Sequence, residues 1–264
     1  MRKLPENPDD YKMSLGEHLE ELRLRLIYAL SGVGVATALC LVFGKRLVDF
    51  ISEPVRDAVR EIVQDADANL IVLTPTEPFV TVFKTSLVVG LVISSPWVLY
   101  QVWLFVAAGL YRHERRVVNI FVPFSAALFI AGTLFAYKIV LKYGLRFLLG
   151  FGGLTETIAT PTIRLSSAIS FVMTMAVVMG AVFQLPLVMM ILARVGIVKV
   201  ESYTKHWRYA VVGIFLLSAI LTPPDVFTQV MMAGPMIALY WIGVGLSIAT
   251  ARKKRSEEID TTSS

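Results

Sequence analysis

Leu110-Tyr111-Arg112-His113-Glu114-Arg115-Arg116 is a short charged loop between two long apolar runs, 85–108 and 117–137, neither of which holds a carboxylate. Crossing ~30 Å of hydrocarbon takes about 20 residues of helix at ~1.5 Å each, a length both runs reach. The loop is therefore pinned at a membrane surface. Glu114 is an acid fixed there by the hydrocarbon-length segments on either side.

The rest of the chain repeats this alternation. Its 264 residues are 56% hydrophobic and 17% charged, which places it among polytopic membrane proteins. Six apolar runs, near 24–43, 79–105, 117–137, 169–193, 209–221 and 226–249, account for most of the sequence, so one membrane domain over 1–264 is expected, without a separate soluble domain. Pro96, Pro123, Pro186 and Pro235 each remove a hydrogen bond inside a run and predict kinks. The fifth run makes only about 20 Å of helix. Kinked helices and a short one point to an all-α integral membrane protein whose curved bundle has a concave face. The single cysteine, Cys40, lies in the first run and permits no internal disulfide. The N-terminal segment lacks a short apolar core followed by a small-residue cleavage site, so the first run is expected to stay as an anchor.

The connections carry their own patterns. Ser14 followed by Glu17 is a capping-box signature for a helix starting at Leu15. That helix begins amphipathic, with His18, Glu21 and Arg25 on one face, and runs into the first span. Pro54 and the apolar spacing after it predict a surface helix over 54–63. Residues 69–75 look extended, and Thr76-Glu77-Pro78 leads into the second span. The segment 141–167 mixes an apolar helical start with several glycines, and 252–264 reads as a disordered polar tail.

Charge distribution sets the orientation. Sixteen of the 25 Lys and Arg residues fall in the N-terminal segment, the Arg112 loop, the Arg194 loop and the tail, which predicts both termini on the cytoplasmic side. Glu21 and Glu114 then share that face.

No catalytic machinery is legible: the sequence has no HExxH, GxSxG, P-loop or GxGxxG signature, and no metal set. Neither an enzyme nor a cofactor is expected. The deep polar side chains are essentially Gln184 and some hydroxyls, with no ionisable group at the bilayer midplane of the kind an ion-coupled transporter uses. A small-solute secondary transporter with the two acids as gates remains the alternative. Glu21 and Glu114 can equally be read as ion-paired with Arg23, Arg25, Arg115 and Arg116.

Four segments resemble the TatC family: 17–26 (EHLEELRLRL), 95–103 (SPWVLYQVW), 110–116 (LYRHERR) and 221–227 (LTPPDVF). They occur in the family's order and spacing, within a likeness running from about Met13 to Ala249. The resemblance implies six spans and a receptor for twin-arginine signal peptides. That receptor would be the core of a translocase that exports folded proteins across the cytoplasmic membrane of a prokaryote, using the proton-motive force. It implies signal-peptide contacts at Glu21 and Glu114, with Leu22, Arg23, Phe105 and Tyr111 in the same patch. Pro54 and Asp225 match the family's outer-side motif residues. Gln184 falls where many members carry Glu and where single-span TatA- or TatB-type subunits dock; Met231 and Met232 are expected nearby. The other partners implied are further copies of the chain and the lipid bilayer, with no nucleic acid. Ala108 stands where the family pattern has Pro. A guanidinium offers a planar fork that a carboxylate accepts bidentately, so two arginines call for two acids.

Overall fold

The computed structural model describes residues 15–62, 70–108, 118–153, 163–222 and 225–262. Among them the regular structure is helical apart from one isolated parallel bridge between Ile71 and Arg164. Helix α1 spans Leu15–Val42, α2 Gly44–Ile62, α3 Glu77–Ile93, α4 Ser95–Ala108 and α5 Val118–Phe135. A π-turn, Ala136–Val140, joins α5 to α6, Leu141–Gly153; then come α7 Leu165–Val182, α8 Leu185–Arg194, α9 Val200–Lys205, α10 Trp207–Leu221 and α11 Val226–Thr262.

Among the described residues four stretches are long and apolar enough to cross a bilayer: Gly16–Val42, Phe121–Gly150, Leu165–Arg194 and Val226–Ala251. A fifth forms if α3 and α4, bent by 57° at their junction, make one span. The bend follows from Pro96, which has no N–H for the carbonyl of Val92, so the ladder stops at Ser94. Helix α10 has 15 residues, about 22 Å of helix, and falls short of the hydrocarbon. Only 11% of the apolar window of α1 is buried, so most of its hydrocarbon surface faces outward, where lipid is the compatible solvent.

Helix α7 occupies the centre and packs on α2, α3 and α5; α8 and α10 pack on α11, and α1 on α3 and α4. Met175, Met179, Met232 and Met236 are fully buried in this core with Ile169 and Val172. Small residues let the helices approach closely. A Cβ on Gly132 would stand 2.6 Å from the carbonyl oxygen of Met179, and one on Gly90 would stand 2.8 Å from the backbone nitrogen of Thr37. Between α1, α3 and α7 lies a cavity of about 570 Å³ lined by Val33, Leu87, Val88, Met173 and Val177.

Three sequence expectations change. The helix read as beginning at Pro54 begins at Gly44, with Pro54 in its interior. Amphipathic spacing overrides the proline: Ile51, Ser52, Val55, Ala58 and Val59 are buried, while Glu53, Asp57, Arg60 and Glu61 are exposed. Pro54 cannot donate to the carbonyl of Phe50, and the Tyr137 hydroxyl donates to it instead at 2.7 Å, its ring stacked on Phe50. Second, residues 141–153, expected in an outer segment with a helical start, continue the preceding span through the π-turn. Third, the tail expected to be disordered from 252 continues α11 to Thr262.

The segments before α3 and before α7 are tied by one carboxylate. Glu77, 4% exposed, accepts from the backbone N–H of Leu73 at 2.9 Å, the backbone N–H of Ser166 at 3.1 Å and Arg164 Nε at 3.0 Å. The bridge beside it has Ile71 N–H donating to the Ile163 carbonyl and Leu165 N–H to the Ile71 carbonyl, both at 3.0 Å. Glu77→Ala should lower the detergent-solubilised Tm by more than Arg164→Ala, since it strands two backbone donors as well as the guanidinium. Gly132→Val should cost about 1–3 kcal/mol through overpacking against α7, read by the same melts.

Candidate functional site

The sequence places an acid, Glu21, two turns into α1. Its Oε1 accepts from Arg25 Nε at 2.6 Å, and Arg25 also donates through an η-nitrogen to Gln101 Oε1 at 3.2 Å. Gln101 is buried on α4, so the guanidinium joins the start of α1 to α4. One turn further along α4, the Phe105 ring stacks on His18 with centroids 4.5 Å apart. Glu21, Arg25, His18, Gln101 and Phe105 thus form one patch on two helices. Arg25 fixes the carboxylate's direction, and Glu21 Oε2 has no hydrogen bond among the described residues. An oriented, half-buried carboxylate with one free oxygen is suited to accept another cationic donor.

Two other expected members behave differently. Leu22 is exposed at the same helix turn, 42% accessible, and offers apolar surface beside Glu21. Arg23 is exposed but lies two residues on from Glu21, close to the opposite side of the helix, so the structure does not bring it to the patch. Tyr111 and Glu114 lie outside the described residues.

At the other sites the geometry is mainly structural. Gln184, between α7 and α8, donates through Nε2 to the Ser125 carbonyl on α5 at 2.9 Å, while its Oε1 is buried without a partner. The Ser125 hydroxyl accepts from Trp103 Nε1 at 2.9 Å, linking α4 into the same junction. Met231 is half-buried near the start of α11. Met232, grouped with it in the sequence reading as a partner contact, is instead fully buried in the core. Consecutive helical residues diverge by about 100°, so only one of the pair can face outward. Asp225 caps α11: its Oδ1 accepts the Thr228 N–H at 2.7 Å and its Oδ2 the Thr228 hydroxyl.

The sequence reading overlooked Gln101 and the part Arg25 plays. The available signal was an amide inside the otherwise apolar run 85–108, in helical register with Phe105 four residues later. A buried amide needs a partner, and the nearest helix supplies a guanidinium. Among the described residues, no three His, Cys, Asp or Glu side chains converge in a way that would hold a metal ion.

Comparison with known proteins gives one result. The family model for "Sec-independent protein translocase protein (TatC)" matches residues 17–235. The TatC of Aquifex aeolicus is 39% identical over 246 residues, covering 92% of this chain and 98% of its own. That of Desulforapulum autotrophicum is 38% identical over 251 residues, covering 95% and 90%. A crystal structure described as the twin arginine translocase receptor TatC superimposes with a TM-score of 0.77 at 37% identity, over 89% of this chain and all of that one. A second, of the receptor in the detergent DDM, gives 0.74 at 38% identity over 88% and 99%. With its fold, its motifs and nearly its full length shared with these proteins, the chain belongs to the TatC family of Sec-independent protein translocase subunits.

Proposed function

We propose that this chain is the signal-peptide receptor and core subunit of a twin-arginine translocase. In this role it binds Arg-Arg signal peptides at its cytoplasmic face so that folded proteins can be exported. The observation that carries the reading is Glu21, oriented by Arg25, joined through it to Gln101, and adjoining the apolar surface of Phe105 and Leu22. Glu114, from the loop after α4, supplies the second carboxylate, and Tyr111 adds an aromatic face. Arginine is preferred over lysine because the fork geometry allows two parallel bonds per carboxylate. The apolar stretch that follows the arginines rests in the cavity between α1, α3 and α7.

In this reading the chain crosses the cytoplasmic membrane of a prokaryote six times, with both termini inside. The α3–α4 pair makes one bent span, and α10 a short one beside which the bilayer thins. Single-span subunits of the TatA or TatB type dock near Gln184 and Met231, and further copies of the chain complete the assembly. Gln184 supports this placement because its Oε1 is an acceptor left open within an apolar region. The family resemblance supplies the energy source, the proton-motive force.

Photocrosslinking of an Arg-Arg signal peptide to the membrane-embedded protein tests the receptor role. Glu21→Gln and Glu114→Gln should each weaken capture about tenfold or more, the worth of one lost charged hydrogen bond, and the double variant should abolish it. Capture unchanged in all three variants would overturn the assignment. A photoreactive residue at 184 or 231 should capture a single-span subunit, whereas one at 232 should crosslink only within the chain.

A further inference from the structure

A second polar site lies at the far end of the bundle from Glu21, where α2 runs alongside the π-turn and α6. Glu53, Asp57 and Glu61 recur every four residues on α2; Lys138, Lys142 and Arg146 recur likewise on the facing element. All six line one cleft of about 590 Å³. Glu61 and Arg146, 85 positions apart, form an ion pair, and the same offset relates Asp57 to Lys142 and Glu53 to Lys138. An acidic ladder therefore faces a basic ladder in parallel register.

The two ladders do not close along their length. One end is pinned by the Tyr137 hydroxyl on the Phe50 carbonyl, the other by Arg146 on Glu61. Between these pins the Asp57 carboxylate pairs with Arg60 of its own helix, at 3.5 Å, and with neither lysine. Lys138, Lys142 and Glu53 have no ion pair or hydrogen bond among the described residues. The pinned ends hold two cations and an acid apart across a cavity. Its volume is within the usual ~300–1,000 Å³ range of small-molecule sites.

We infer that this cleft is a binding site for a phosphoethanolamine group. The phosphate bridges Lys138 and Lys142, and the ammonium donates to Glu53 and Asp57. The unpaired lining of two lysines and one carboxylate matches a headgroup with the anionic part on one side and the cationic part on the other. Ethanolamine is selected over choline because a primary ammonium has N–H donors for the carboxylates and a quaternary one has none. The cleft sits where α2 follows span α1 and where α5 passes into α6, at the end of the bundle opposite Glu21, and its two lysine ammoniums suit a phosphate. This site is separate from the Glu21 patch and does not depend on the receptor reading.

Native mass spectrometry of the purified full chain tests it with phosphatidylethanolamine, phosphatidylcholine and phosphatidylglycerol of matched acyl chains. The wild type should retain phosphatidylethanolamine about tenfold over phosphatidylcholine, the worth of the ammonium's charged hydrogen bonds. Lys138→Gln with Lys142→Gln should weaken all three lipids. Glu53→Gln with Asp57→Asn should erase the ethanolamine preference while phosphatidylglycerol stays bound. Competition by glycerophosphoethanolamine separates a soluble source from a membrane one: displacement at matched concentration assigns the group to a soluble molecule, and no displacement assigns it to a lipid. Equal retention of ethanolamine and choline lipids by the wild type would overturn the site. So would a preference that survives both double variants, which change only exposed side chains.

Discussion

A carbonyl inside a bilayer cannot turn to water, so each one that a helix break leaves weak or free must find its donor within the protein. A recurring contact in the structure is a side chain of one helix donating to a backbone carbonyl of another, whether that carbonyl's own ladder is broken or intact. Tyr137 serves Phe50, whose ladder donor Pro54 removed; Gln184 serves Ser125; Trp97 serves Tyr28. The short α9–α10 arm is fastened in the same way, by Tyr203 on Met189, Tyr240 on Tyr203 and Gln229 on Phe215. Each such bond is worth about 0.6 kcal/mol in a membrane bundle, so no single one holds the fold. Together they fix the relative rotation of helices that apolar packing alone would let slide.

The same accounting separates the polar groups that stabilise from those that recognise. Glu77 has both oxygens engaged, by two backbone donors and a guanidinium, and serves as a clasp between two segments. Among the described residues Glu21 is satisfied on one oxygen, by a residue of its own helix that is itself fastened to α4. Preorganisation of this kind lowers the entropic cost of binding, because the carboxylate is already aimed before a peptide arrives.

Much of this was legible in the sequence, for reasons that differ by residue. Apolar runs of hydrocarbon length announce membrane helices, because lipid imposes the same requirement on every residue of a span. Pro96 and Pro186 announce the breaks. Pro54 misled, since a proline reads as a helix start and only a distant tyrosine makes an interior position tolerable. The Glu77 clasp joins residues 87 apart and has no local signature. Gln101 was visible as an amide in an apolar run, but the guanidinium that answers it lies on α1, 76 positions earlier. Met231 and Met232 are chemically alike, and the helix rotation that buries one and not the other becomes clear only with α8 and α10 in place.

Gln184 meets the same requirement with an amide. Its Nε2 donates to the Ser125 carbonyl, a contact that an ionised carboxylate could not make, because two acceptors would face each other in a low-dielectric junction. The resemblance to TatC implies a glutamate here in many relatives. In this geometry such a glutamate would have to hold its proton, which burial favours, and would then donate to the same carbonyl. The amide and the neutral acid are equivalent in that bond. The chain therefore keeps the hydrogen bond that ties the α7–α8 junction to α5 without holding a titratable group there, and the buried Oε1 stays open as an acceptor for a neighbouring helix.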